Sequence, residues 1–349
     1  MSEYSNSTSC LTLPGDSFGK QERRTAVKTF SKINGSLLVY TIVASIAMII
    51  MSVVFAIFMG EEKYTEFAAG PYYIWVMQII CMYVIAFPIF LLMVGRLPKS
   101  ERQKDSISFK EFGYIFLVSE AIMLAGSIFS EWFVSTLETK AGFQVANTTS
   151  DLIMGSPIWV VILVVVVIGP IVEELIFRKV IIDRMSVYGD RAAVLMSSIA
   201  FGLFHGNFHQ LFYATALGLV LGYVYTKTRR CIYTVLLHMM VNFMGSVPAL
   251  LLQDSINRVN AAPSDAIVEG QLATDIMLIN SYVLLEYGMA IAGIVILLVA
   301  TFKRSYRFSN EYDIKVPFFQ RARVYLLNFG TIAFIAFMIY TCIISLNVA

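Results

Sequence analysis

The chain alternates between long apolar runs and short polar connections. Nine stretches read as candidate membrane spans: Leu37–Met59, Tyr72–Gly95, Gly113–Leu137, Ile158–Phe177, Ala192–His205, His209–Thr226, Ile232–Leu252, Ile276–Phe302 and Tyr325–Leu346. A bilayer core takes about 20 apolar residues per helix. No water is available there to satisfy backbone N–H and C=O groups, so each run is predicted to be helical. The fifth run is short and polar-ended, and it is expected to pair with the sixth across a turn at Gly206–Asn207. The pattern predicts an all-α, polytopic transmembrane bundle of eight or nine spans. The polar stretch of residues 1–36 before the first run argues against a cleaved signal peptide.

Composition narrows the class. The 349 residues are 58% hydrophobic and 14% charged, with mean hydropathy +0.72, which excludes a soluble globular or disordered chain. A net charge of +2 offers no strongly basic face for nucleic acid. Cys10, Cys81, Cys231 and Cys342 are scattered and support neither a disulfide framework nor a zinc knuckle. Of the 26 Lys and Arg, 23 lie in residues 1–36, 96–112, 178–191, 227–231 and 303–324, leaving Lys63, Lys140 and Arg258 on the other side. That asymmetry places the N-terminus in the cytoplasm. The expected organisation is a cytoplasmic segment (1–36), accessory spans (37–157), a catalytic core (158–252) and C-terminal accessory spans (253–349). The basic segment 303–324, with Tyr306, Phe308, Phe318 and Phe319, reads as a connector near anionic headgroups.

Ionisable residues inside spans are costly and need a reason. They are Glu120, Glu131, Glu173, Glu174 and Glu286, joined by all three histidines, His205, His209 and His238. Glu131 is expected at the outer interface, and Glu120 and Glu286 facing other helices. Glu174 and Arg178 are i, i+4 and share a helix face, so Arg178 can neutralise Glu174. Glu173 lies about 100° round the helix, without that partner, where it suits a general base. The bland alternative is a helix-end salt bridge at the membrane boundary. Phe201 and His205 are one turn apart. His205 and His209 have the spacing of a zinc pair but lack the intervening glutamate. His238 and Asn242 share one face of a span, as a helix–helix clamp or as donors for an oxyanion.

Glu173-Glu174-x-x-x-Arg178, Phe201-x-x-x-His205 and His238-x-x-x-Asn242, in this order and on separate spans, resemble the three motifs of the CPBP family. That family holds the type II CAAX prenyl endopeptidases and the bacterial Abi-type membrane proteins. The stretch from Phe204 to Leu211 resembles the bacterial branch. The resemblance covers roughly residues 158–251 and implies an intramembrane peptidase.

Carried over, it makes Glu173 the base and His205 its helper in activating water. Glu174 and Arg178 become the supporting pair, with Phe201 beside them, and His238 and Asn242 the oxyanion stabilisers. It implies no obligatory metal. The residues alone also form a zinc-ligand set, Glu173, His205 and His238, with an open fourth position. No carboxylate is placed by the sequence to orient either histidine, which weighs against zinc. The expected partners are the lipid bilayer and a membrane-associated, conceivably lipidated, peptide or protein, with no nucleic acid. The site is expected to open toward the cytoplasm. The competing readings are a non-catalytic family member serving immunity or scaffolding, and, less favoured, a carrier.

Overall fold

The first helix starts well before the apolar run that announced it. α1 spans Lys20–Met59, and its polar first half buries Ala26, Phe30, Ile33 and Leu37, a spacing that turns one stripe inward. The segment read as a cytoplasmic extension is therefore helical from residue 20. The computed structural model describes residues 20–145, 147–263, 267–303 and 318–348. Cys10, Tyr306 and Phe308 lie outside them, as do the side chains of Phe318 and Phe319.

The other helices follow in order. They are α2 (Glu61–Ala69), α3 (Tyr73–Val94), α4 (Phe109–Ala141), α5 (Thr148–Met154), α6 (Ile158–Tyr188), α7 (Asp190–Phe204) and α8 (Phe208–Thr228). Then come α9 (Cys231–Leu251), α10 (Gln253–Ala261), α11 (Gly270–Phe302), α12 (Phe318–Tyr325) and α13 (Phe329–Ile344). All nine expected spans are helical, and six of them, α1, α3, α4, α6, α9 and α11, are long and apolar enough to cross a bilayer. The fifth, sixth and ninth differ. α7 and α13 have only 15 and 16 residues, and α8 carries His209 and Gln210 in its first turn. The one pairing of strands among the described residues is a three-residue ribbon, β1 (Phe143–Val145) against β2 (Leu346–Val348), antiparallel with Phe143 opposite Val348.

α6 corrects the sequence reading most. Its apolar run was expected to end at Phe177, leaving Glu173 and Glu174 at a helix end. The helix instead continues to Tyr188, so the pair lies mid-helix. The charges that interrupt the run are satisfied in place. Lys179 Nζ pairs with Asp183 at 2.7 Å, and Arg184 Nε donates to the Val94 carbonyl at 2.9 Å.

The main core joins α1, α3, α6, α7 and α13 around Phe30, Tyr40, Phe90, Phe177, Phe201 and Phe334. Outside it, large apolar side chains such as Ile57, Phe58, Leu92 and Leu284 are exposed, as suits a surface solvated by lipid. α7 and α8 form a tight hairpin. Gly206 turns it with φ +65°, and Asn207 caps α8 through Oδ1, which accepts from Gln210 N. At Gly202 a Cβ would lie 1.9 Å from Thr215 Oγ1, so only glycine lets the two helices approach this closely.

Hydrogen bonds define the two ends of the bundle. At one end Ser100 N donates to Asp183 O (2.7 Å), Asp105 N donates to Thr228 O (2.9 Å), and Arg102 and Arg229 both pair with Asp190. This end gathers the Lys/Arg-rich connections between α3 and α4, α6 and α7, and α8 and α9. At the other end Trp75 Nε1 donates to Ser156 Oγ (2.8 Å) and Gln253 Nε2 to Met154 O (3.0 Å). Thr149 Oγ1 there donates to Gln210 Oε1 at 3.0 Å.

Candidate active site

Glu173 and Glu174 sit in a short α-helical stretch, Gly169–Glu174, between two wide π-helical turns, Ile162–Ile168 and Leu175–Ile182. Such turns recur at functional sites. One cause is Pro170. The Gly169 N–H bonds back five residues to Val164 O, but Pro170 has no N–H to continue the series to Val165 O. Asn242 Nδ2 supplies the missing donor from α9, at 2.9 Å. Asn242 therefore acts as a helix–helix clamp through one amide hydrogen, and its second N–H remains for another partner.

The two glutamates meet opposite surroundings. Glu174 and Arg178 are fully buried and paired, Nε to Oε2 at 3.0 Å. Arg178 Nη1 donates to Ser197 Oγ (3.2 Å), which donates to Phe177 O (2.7 Å), and the guanidinium lies over the Phe201 ring, 4.9 Å from its centroid. Glu173 keeps 21% of its side-chain surface exposed. His238 stands between them. Its Nδ1–H donates to Glu174 Oε1 at 3.1 Å, and its Nε2 lies 3.7 Å from Glu173 Oε2. No carboxylate was expected to orient a histidine, and the structure corrects this, since Glu174 fixes the ring of His238. The pairing crosses from α6 to α9, which spacing along one helix does not reveal.

His205 ends α7. Its Nδ1–H donates to Phe201 O at 2.8 Å, so in the neutral ring Nε2 is the nitrogen that accepts. The Phe201 ring meets both imidazoles edge-on, with centroids 5.0 Å from His205 and 5.7 Å from His238. Glu173, His205, His238, Asn242 and Phe201 all line one cavity of about 610 Å³. Glu174 and Arg178 lie behind its wall. The sequence did not single out Tyr83, Gln78, Tyr213 and Ser246, which line the same cavity. These are isolated polar residues in apolar runs, and no local spacing marks them.

His209 is not paired with His205 as a metal site. Its Nδ1 lies 3.0 Å from Glu131 Oε1, and its Nε2 lies 3.3 Å from Val145 O. Glu286 accepts from Tyr282, whose hydroxyl also lies 2.7 Å from Met244 O. Glu120 and Glu286 thus occupy the faces of α4 and α11, away from this cavity. Among the described residues, no three His, Cys, Asp or Glu side chains come together at metal-binding spacing. Glu173, His205 and His238 share the cavity without forming a zinc-ligand set as arranged.

The cavity follows α6 and α9 away from the turns that carry Glu173 and His238. Its lining reaches Trp75, Glu131, Asn147, Thr149 and Met154, at the end opposite the Lys/Arg-rich connections.

Comparison with known proteins agrees with this core. The family described as type II CAAX prenyl endopeptidase, Rce1-like, matches residues 155–244, the stretch that carries α6 to α9. A candidate membrane peptidase of Bacillus subtilis (strain 168), YdiL, is 30% identical over 172 residues, covering 47% of this chain and 67% of YdiL. The membrane-embedded CAAX protease MroQ of Staphylococcus aureus (strain USA300) is 30% identical over 125 residues, covering 34% of this chain and 51% of MroQ. No solved structure matches. The chain is a multi-pass membrane protein of the peptidase type, and it belongs to the family of Rce1-like type II CAAX prenyl endopeptidases.

Proposed function

We propose that the chain is an intramembrane endopeptidase that cleaves a membrane-associated peptide or protein with water activated by Glu173. The observation that carries this reading is the meeting of the cavity-facing Glu173 with His238 Nε2, on a ring held from behind by Glu174 and Arg178. At 3.7 Å the two groups are not hydrogen-bonded to each other, and both face the cavity that would hold the water.

In the proposed reaction Glu173, helped by His205 Nε2, takes a proton from that water. The hydroxide attacks the peptide carbonyl carbon. The oxyanion receives hydrogen bonds from His238 Nε2–H and from the second N–H of Asn242. The C–N bond then breaks as Glu173 returns its proton to the leaving nitrogen, giving a carboxylic acid and an amine. The reaction uses His238 with Nδ1–H held by Glu174 and Nε2–H turned to the cavity.

The test is comparative peptidomics. Wild type and Glu173→Gln are expressed at equal membrane levels in a host lacking the protein, and membrane-derived peptides are compared. Peptides present only with wild type are the expected result. Identical peptide sets from the two strains would sink the reading.

A further inference from the structure

We propose that the cavity opens on the extracytoplasmic side, so that its substrate is a peptide segment presented outside the cytoplasm; the substrate assignment rests on the peptidase reading above. Two independent observations meet here. The first is the charge pattern. Residues 96–112, 178–191 and 227–231 hold Lys and Arg densely, and their backbones and side chains are tied together at one end of the bundle. The opposite end carries Lys63, Lys140 and Arg258. Basic connections stay in the cytoplasm, so the sparse end lies outside.

The second is the direction of the cavity. Along α9 its wall runs from His238 through Asn242 and Ser246 to Ala249, about 16 Å at 1.5 Å per residue. Along α6 it runs from Glu173 back through Gly169 to Val164. Both paths lead away from the basic connections. They end at Asn147, Thr149 and Ser150, beside the polar collar of Gln210, His209 and Glu131. Among the described residues lining the cavity there is no Lys or Arg, and Glu131 and Glu173 are the carboxylates. A mouth of this kind offers hydrogen bonds to a peptide backbone and no cation to a carboxylate or phosphate, which suits neutral or basic side chains around the scissile bond.

Single cysteines read the orientation without requiring catalysis. Ser150→Cys marks the mouth, Ser127→Cys the cavity wall and Ser106→Cys the Lys/Arg-rich end. Intact cells are treated with a charged, membrane-impermeant maleimide, and labelling is located peptide by peptide by mass spectrometry, so that the native cysteines stay in place. Labelling at Ser150→Cys and Ser127→Cys in intact cells is expected, with Ser106→Cys reacting only after the cells are opened. The reverse pattern overturns the proposal. The same variants are prepared with Glu173→Gln as well. Peptides whose release needs Glu173 are expected to derive from extracytoplasmic segments, and cytoplasmic ones overturn the substrate assignment. Outside labelling with no Glu173-dependent peptide overturns the peptidase reading and leaves the mouth where the geometry puts it.

Discussion

Glu173 and Glu174 are adjacent in sequence, yet one faces a cavity and the other is sealed beneath it. Their substitutions should separate accordingly. Glu173→Gln removes a base and buries no new charge, so cleavage is lost while membrane level and melting temperature stay near wild type. Arg178→Ala strands the Glu174 carboxylate at zero exposure and should cost about 3–5 kcal/mol, seen as a lowered melting temperature in detergent and poor accumulation. Lysine is a weak substitute there, because Nε and Nη1 serve two different acceptors. Phe201→Leu leaves a small cavity and takes away the ring beneath the Arg178 guanidinium, a cost of about 1–3 kcal/mol, and it removes the ring that both imidazoles meet. Its turnover should fall much further than its melting temperature, and comparable losses in both would show Phe201 to be packing alone. The residue types at the site were legible from their cost inside a membrane. The bond from Glu174 to His238 was not, because it joins residues 64 apart on different helices.

The helix elements were legible where hydropathy marks them and illegible where periodicity does. All nine apolar runs are helices. The start of α1 was missed because residues 20–36 are polar on average, although Ala26, Phe30 and Ile33 already spell a buried stripe. The end of α6 was missed because Lys179, Asp183 and Arg184 closed the apolar window, while their pairing lets the helix continue. The wide turns follow from a missing proline N–H and a distant asparagine, which no window of one helix contains. The α7–α8 hairpin carries its own prediction. Gly202→Ala places a methyl against Thr215 Oγ1 and Leu211 O, so the protein should accumulate poorly. Thr215→Ala in the same chain should restore part of the loss, and a double-mutant cycle measures the coupling. Additive effects would show that the two helices are not held at this contact.

At the scale of the whole molecule, membrane insertion was legible from composition, and the two ends from the placement of Lys and Arg. The course of the cavity was not, since a helical sequence does not say which of its halves lines a hollow. α13 closes the bundle against α1: Gly330 N donates to Ser31 Oγ at 2.9 Å, and Asn34 Nδ2 to Thr331 Oγ1 at 2.7 Å. Removing residues 329–348 should therefore expose the Phe30–Phe334 core and lower membrane yield, measurable by blotting membrane fractions, whereas an unchanged yield would show α13 to be an accessory.

The β1–β2 ribbon adds a consequence in time. Val145, whose carbonyl receives His209 at the collar, is paired through its strand with Leu346. A ribosome delivers Glu173, His205 and His238 to the bilayer before it has made the strand that fastens the collar. The side chains of the candidate site are thus inserted first and their collar is fastened last, so the entrance of a half-synthesised chain is unfinished.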